Sequence, residues 1–217
     1  LRPDPLILGF DTSAAHCAAA LLEGDRLIEA RADPMGQGQA ERLMPMLEEM
    51  LARAGSSWRD VAVIGVGTGP GNFTGVRLSV AAARGLALSL GVPAIGVGAL
   101  EAAAFGLPRP VLAALDARRG QVYLQLFASD APPPVLAAPE ALPGWALGVP
   151  RVTGDAAARL LPHLPGATEA AQPVPLAEAV ARLARARVGT PQPRPAPVYL
   201  RAADAAPPRE APPALIP

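Results

Sequence analysis

The sequence predicts an α/β protein of two lobes, and three observations carry that expectation. The first hundred residues read as three strands followed by alternating helices and strands, βββαβαβα. The strand–Asp–turn–strand theme that opens the chain returns after residue 110. Pro108-Arg109-Pro110 stands between the two halves as a break. The expected division is residues 1–107 for the first lobe, 108–204 for the second, and a Pro- and Ala-rich tail over 205–217 that reads as disordered.

Each element has a local reason. Leu6-Ile7-Leu8-Gly9-Phe10 is a short apolar run of the buried-strand type. Cys17–Leu22 and Arg26–Ala32 flank Glu23-Gly24-Asp25, which reads as a hairpin turn. From Ala40 to Ala54, Leu43, Met46, Leu47, Met50, Leu51 and Ala54 recur with helical spacing, and Pro45 is expected to start or kink that helix. Val61–Val66 is another buried-strand run, Arg77–Leu90 a proline-free helix, Ala94–Val97 a strand and Ala99–Phe105 a helical stretch. In the second half Val111–Leu115 reads as a buried strand and Gln121–Phe127 alternates like a half-exposed one. Proline excludes long elements between Ala131 and Pro150. Asp155–Leu161 and Leu176–Val188 read as helices, and Pro197–Arg201 as a strand or edge segment.

Composition removes several chemistries. The 217 residues carry no net charge, so no global field draws in nucleic acid or an anionic membrane. Every basic side chain apart from His16 and His163 is Arg; with no Lys there is no Schiff base and no P-loop. Cys17 is the one cysteine, which excludes an internal disulfide and a cysteine zinc cluster, and its apolar surroundings read as those of a structural thiol. The two histidines form no HxxxH or HExxH pair, so no metal site is expected. Without a charged leader or a run of eighteen apolar residues, the expected location is the cytoplasm.

The most constrained stretch is Gly67-Thr68-Gly69-Pro70-Gly71-Asn72-Phe73-Thr74-Gly75-Val76-Arg77. Glycine turns between a strand and a helix suit an anion, because free N–H groups and the helix dipole point the same way. The same pattern also suits a plain tight connection. Asp11, Thr12 and Ser13 end the first strand, and Asp116 ends its counterpart in the second half. These residues, with Gly69, Gly71 and Arg77, are the candidate nucleotide or phosphate contacts; an Asx turn or hairpin closure is the other reading of the Asp–Thr–Ser stretch. Arg118 and Arg119 are further candidate phosphate contacts. No catalytic residue is assigned. The helix 77–90 is apolar almost all round and rich in small residues, and the helix near 40–54 carries three of the four methionines. A subunit interface through Leu43, Met44, Met46, Leu47, Met50, Val76, Val80, Ala83, Leu86 and Ala87 is the favoured reading, with core as the alternative.

Asp11-Thr12-Ser13, Gln39-Ala40-Glu41-Arg42-Leu43-Met44-Pro45-Met46, Gly69–Arg77, Asp116–Tyr123 and Val198-Tyr199-Leu200-Arg201 together resemble the TsaB (YeaZ) family, over nearly the whole chain to about Asp204. Asn72 stands where the family usually has Ser. The resemblance implies an actin-like ATPase (ASKHA, ribonuclease H-like) fold whose two lobes are each built on a mixed sheet with flanking helices. It implies a non-catalytic partner and activator in forming N6-threonylcarbamoyladenosine beside the anticodon of tRNAs that read ANN codons. The partners implied are a catalytic TsaD-like subunit and a TsaE-like ATPase, with a homodimer when the chain is alone, tRNA met only through the complex, and no membrane. No tightly bound cofactor is implied for this chain, with ATP or ADP placed at or near the partner interface. The catalytic relative, of the M22 glycoprotease-like type, holds a metal with two His four apart; Ala99 and Ala103 stand at those positions here. The rival reading is an independent ASKHA-type ATPase or an inactive M22-peptidase homologue.

Overall fold

The computed structural model describes residues 4–201, so the expected tail at 205–217 lies outside the described residues. Two five-stranded mixed sheets form the frame. The first holds β1 (Leu6–Asp11), β2 (His16–Glu23), β3 (Arg26–Pro34), β4 (Val61–Gly67) and β5 (Ala94–Val97), in the order β3-β2-β1-β4-β5. Here β2 and β3 are antiparallel neighbours, while β4 and β5 run parallel to β1.

The second sheet holds β6 (Val111–Asp116), β7 (Val122–Phe127), β8 (Val135–Ala137), β9 (Arg151–Thr153) and β10 (Thr168–Glu169). Its order is β10-β9-β6-β7-β8, with β7 and β8 antiparallel and β9 and β10 parallel. The two sheets therefore share one topology, which is the duplication that a ribonuclease H-like pair implies. β8, β9 and β10 are two or three residues long and carry no sequence signal of their own.

Helices α1 (Gln39–Arg53) and α2 (Phe73–Leu90) cover one face of the first sheet. Their apolar stripes, Leu43, Met46, Leu47, Met50 and Leu51 on one and Val76, Val80 and Ala83 on the other, meet Leu8, Phe10, Leu21 and Ile64. Burial at about 25 cal/mol per Å² makes this layer the largest stabilising block of that half. Pro45 sits exposed within α1, and the helix runs through it from Gln39 rather than starting there. α2 starts at Phe73, four residues earlier than its composition indicates, because Asn72 caps it. α3 (Ala99–Ala103) and α5 (Leu176–Ala186) cover the other face of the first sheet, where Ala177, Val180, Ala181 and Ala184 pack on Ile7, Ala20 and Val63. A Cβ on Gly9 would stand 2.7 Å from Ala181 Cβ and one on Gly65 2.8 Å from Ala184 Cβ, so glycine in the strands and alanine in the helix set that close spacing. The short α4 (Ala157–Leu160) packs with Leu112, Leu124 and Val152 of the second sheet.

After α5 the chain runs as an irregular strap rather than the strand expected at Pro197–Arg201. Pro191, Pro193, Pro195 and Pro197 remove every second N–H donor, so no ladder forms. One main-chain bond pins it, from Val198 N–H to the Thr68 carbonyl at 2.8 Å.

A charge network ties β3 to α1. Arg42 Nε donates to Asp33 (2.7 Å) and its Nη1 to Glu49 (2.7 Å), while Arg31 Nη1 also reaches Glu49 (2.7 Å). The Arg42 hydrogen bond is the largest cause holding the Glu49 carboxyl down to about 2 from its ordinary 4.5. A carboxyl depressed in the fold stabilises it fully above its unfolded value and loses that contribution as pH falls through the folded one. Urea titrations from about pH 5 to pH 2 should thus show stability falling more steeply in the native chain than in Glu49→Gln. Parallel pH profiles would count against this account.

Candidate functional site

The turn after β1, the glycine turn after β4 and the hairpin after β6 meet at the strand ends, around a cleft of about 360 Å³ between the two sheets. Ser13, His16, Gly71 and Asn72 line it from the first sheet, Asp116, Arg118 and Asp155 from the second. The sequence-predicted residues are therefore gathered only in part.

Asp11 is fully buried and does not line the cleft. Its Oδ1 accepts the Ser13 N–H (2.8 Å) and the Ser13 hydroxyl (2.8 Å), and His16 Nε2 lies 3.0 Å away. Its Oδ2 is buried, has no hydrogen-bond partner among the described residues, and lies against Gly67, where any Cβ would collide with it. Thr12 is also spent internally, donating its hydroxyl to the Gly75 carbonyl at 2.6 Å. The Asp–Thr–Ser stretch thus closes its own turn and locks it onto α2, which is the Asx-type reading of those residues.

The glycine turn makes a close approach. The Asn72 N–H donates to the Ser13 carbonyl (2.6 Å), and a Cβ on Gly71 or Gly75 would overlap the carbonyl oxygen of Ser13 or Thr12. Asn72 Oδ1 accepts the N–H groups of Thr74 (3.0 Å) and Gly75 (3.3 Å). Two donors that an incoming anion would use at this helix end are therefore already satisfied by a side chain. Gly69 lies behind the cleft, its carbonyl accepting the Ala99 N–H at 2.7 Å. Ala99 itself lines the cleft, and Ala103 is buried against the second sheet.

Across the cleft Asp116 is exposed. Its Oδ1 takes Arg159 Nη1 at 2.6 Å, its Oδ2 the Arg118 N–H at 3.2 Å, and its own N–H donates to Asp155 Oδ1 at 2.8 Å. Withdrawal from water raises the Asp155 carboxyl, opposed by the Asp116 N–H bond and reinforced by the Asp116 charge. Arg118 and Arg119 both adopt left-handed backbone (φ 59° and 51°), an unusual conformation for two side-chain-bearing residues, and this turn aims Arg118 at the cleft. Asp155 and Arg159 carry no motif. Only the duplicated topology marks them: Gly154-Asp155 follows β9 as the glycine turn follows β4.

Arg77 is not a cleft residue. It faces outward, its guanidinium 3.8 Å over the Phe73 ring and its Nε donating to Tyr199 Oη at 2.8 Å. The expected interface needs a similar correction. Leu43, Met46, Leu47, Met50, Val76, Val80 and Ala83 are each at most 3% exposed and belong to the chain's own core. The main apolar stripe of each helix faces the sheet, so those residues are closed to a partner; Met44, Leu86 and Ala87 are half-buried at its margin. The outward surface of α2 is instead Phe73, Arg77, Ala81, Arg84, Gly85 and Leu88, the last 86% exposed. Cys17 is buried 4.0 Å from Met46 Sδ, and burial pushes its thiol up to about 11, the state of an inert structural cysteine.

Among known proteins, the family profile described as tRNA N6-adenosine threonylcarbamoyltransferase (TsaD) matches residues 36–131. The Escherichia coli protein named "tRNA threonylcarbamoyladenosine biosynthesis protein TsaB" is 38% identical over 129 residues, 57% of this chain and 55% of that one. The chain spans about half the length of the curated TsaB relatives it matches. An uncharacterized Mycobacterium tuberculosis protein, Rv3421c, is 33% identical over 207 residues, 93% of this chain and 94% of its own. The solved structure of YeaZ from Pseudomonas aeruginosa superposes with a TM-score of 0.74 at 29% identity, covering 90% of this chain and all of that one. The (R)-2-hydroxyglutaryl-CoA dehydratase component A of Acidaminococcus fermentans shares the fold at a TM-score of 0.56 and 11% identity.

Two substitutions within α2 separate close approach from helix propensity. Gly75→Ala should cost about 2–4 kcal/mol in urea unfolding, because the new methyl has only the Thr12 carbonyl to displace. Gly85→Ala, where nothing lies within 4 Å, should gain about 0.5–1 kcal/mol. Equal effects at both positions would refute the close-approach argument.

Proposed function

We propose that the chain belongs to the TsaB (YeaZ) family and is a non-catalytic partner subunit in forming N6-threonylcarbamoyladenosine on tRNA. In this reading it binds and activates a TsaD-like catalytic subunit, beside a TsaE-like ATPase, in the modification next to the anticodon of tRNAs reading ANN codons. It meets tRNA through the complex, in the cytoplasm, and it pairs with itself when alone. No helix among the described residues is long and apolar enough to cross a membrane.

The observation that carries this reading is how the polar groups at the strand ends are used. Ser13 donates to Asp11, Thr12 and Asn72 are spent on backbone groups of the first turn of α2, and Asp116 is paired with Arg159. Such groups hold a scaffold together; they are not poised to move a proton or attack a carbonyl. The outward surface of α2 supports the partner role, since Phe73 and Leu88 expose apolar area on a helix otherwise anchored in the core. A second reading, a phosphorylated ligand such as ATP or ADP in the cleft, is favoured by Arg118, which faces the cavity with no side-chain ion pair among the described residues. Nucleotide titration of the chain, alone and with the catalytic subunit, tests it directly.

The principal test is biochemical. The purified chain should transfer no threonylcarbamoyl group by itself, should co-purify with a TsaD-like subunit and should raise that subunit's rate. Leu88→Asp should weaken the capture roughly tenfold while leaving thermal unfolding unchanged. Absence of a complex with the native chain would remove the proposal.

A further inference from the structure

Four titratable or charged side chains line the cleft between the sheets: His16, Asp116, Arg118 and Asp155. Two of them already have partners at hand. His16 Nε2 lies 3.0 Å from the buried Asp11, and Asp116 Oδ1 accepts Arg159 Nη1 at 2.6 Å. The two left over are opposite in sign. Arg118 and Asp155 make no side-chain ion pair among the described residues, with each other or with any other group. Asp155 commits only Oδ1, to the Asp116 N–H at 2.8 Å.

Both residues sit on backbone that is firmly held. The left-handed turn carrying Arg118 is closed by the Gln121 N–H on the Arg118 carbonyl (3.0 Å) and the Ala117 N–H on the Gln121 carbonyl (3.1 Å). Arg201 Nη2 braces the same turn through Gln121 Oε1 at 2.5 Å. Asp155 follows Gly154, whose φ of 101° and close approach to the Ala114 carbonyl leave no room for a Cβ. Strained backbone that is held this well is a pointer to function. The rest of the lining is neutral: Ser13 and Asn72 are polar, Leu115 and Leu176 apolar.

These charges discriminate between ligand classes. A polyanion would gain Arg118 but also meet the carboxylates of Asp116 and Asp155. A simple cation would gain Asp155 and leave Arg118 unused. A molecule carrying both signs satisfies both groups at once. The cleft of about 360 Å³ is also at the small end for ligand sites, which run from roughly 300 to 1,000 Å³.

We propose that the cleft binds a free α-amino acid with a short side chain as its zwitterion, the carboxylate on Arg118 and the ammonium on Asp155. The guanidinium fork matches a carboxylate in two parallel hydrogen bonds. The ammonium meets Asp155 with the Asp116 carboxylate beside it, since the two residues are joined by a main-chain hydrogen bond. Ser13 and Asn72, across the cleft, are left to the ligand's own side chain, which favours a short polar one. The proposal does not depend on the partner role assigned above. It gives the cleft a ligand of a different class from ATP or ADP.

Isothermal titration of the full chain with L-serine tests it, beside ethanolamine, which lacks the carboxylate, and 3-hydroxypropanoate, which lacks the ammonium. Serine should bind saturably in the millimolar range or tighter, and each truncated analogue roughly tenfold more weakly. Arg118→Asn keeps a residue that tolerates left-handed backbone, and Asp155→Asn keeps an acceptor for the Asp116 N–H. Each should weaken serine binding roughly tenfold and lose one discrimination only. Arg118→Asn should no longer prefer serine to ethanolamine, and Asp155→Asn should no longer prefer it to 3-hydroxypropanoate. Thermal unfolding without ligand checks each variant's fold, and the comparison of analogues on the native chain needs no variant at all. No saturable serine binding, analogues bound as well as serine, or folded variants without the matched loss of discrimination would each overturn the proposal. ATP or ADP binding without serine binding would overturn it and leave the phosphorylated-ligand reading standing. Capture by a TsaD-like subunit is scored separately, and its failure removes the partner reading alone.

Discussion

The fold depends on one close approach. The turn after β1 and the N-terminus of α2 come together so tightly that side chains are excluded at Gly71 and Gly75, and the Asn72 N–H and Thr12 hydroxyl close the gap with hydrogen bonds. That contact sets where α2 begins, and therefore how its apolar stripe meets the sheet. Beside it Asp11, Thr12 and Ser13 are buried, and Asp11 Oδ2 has no hydrogen-bond partner among the described residues.

Much of this frame was legible in the sequence, and the rest had physical reasons not to be. Strands β1, β2, β4 and β5 are legible as apolar runs, because a sheet covered on both faces needs continuous hydrophobicity, while β3, none of it buried, is legible only from the glycine hairpin before it. α2 was read as starting at Arg77 because Gly75 and the glycines before it look like loop; the Asn72 cap outweighs that local preference. β9 and β10 went unseen because strands of two or three residues have no period, and only their parallel pairing beside β6 defines them.

The site was half legible. Asp11 and Asp116 were correctly placed at strand ends, but sequence could not tell that one is sealed and the other is paired with Arg159. Arg77 was expected beside the glycine turn's anion site, and one turn of helix carries it to the outside instead. The interface residues failed for a similar reason. A helix that is apolar nearly all round does not reveal which arc meets its own sheet, and the most regular stripe was the one the core had already taken. What remained for the surface was the less conspicuous arc. The actin-like fold therefore follows from the sequence more readily than the surface the fold presents.

α5 brings a consequence for how the protein is made. It packs between the two ends of the story: its alanines cover β1, β2 and β4, yet it is synthesised after the entire second sheet. At about 5–20 residues per second, roughly 4 to 16 s separate the emergence of β5 from that of α5. During that interval Ile7, Ala20 and Val63 have a face of sheet 1 open to water and to other nascent chains. A chain halted before residue 176 would thus be an aggregation hazard rather than half a protein. Ribosome pausing, chaperone capture and proteolysis would all find their substrate in that one uncovered face.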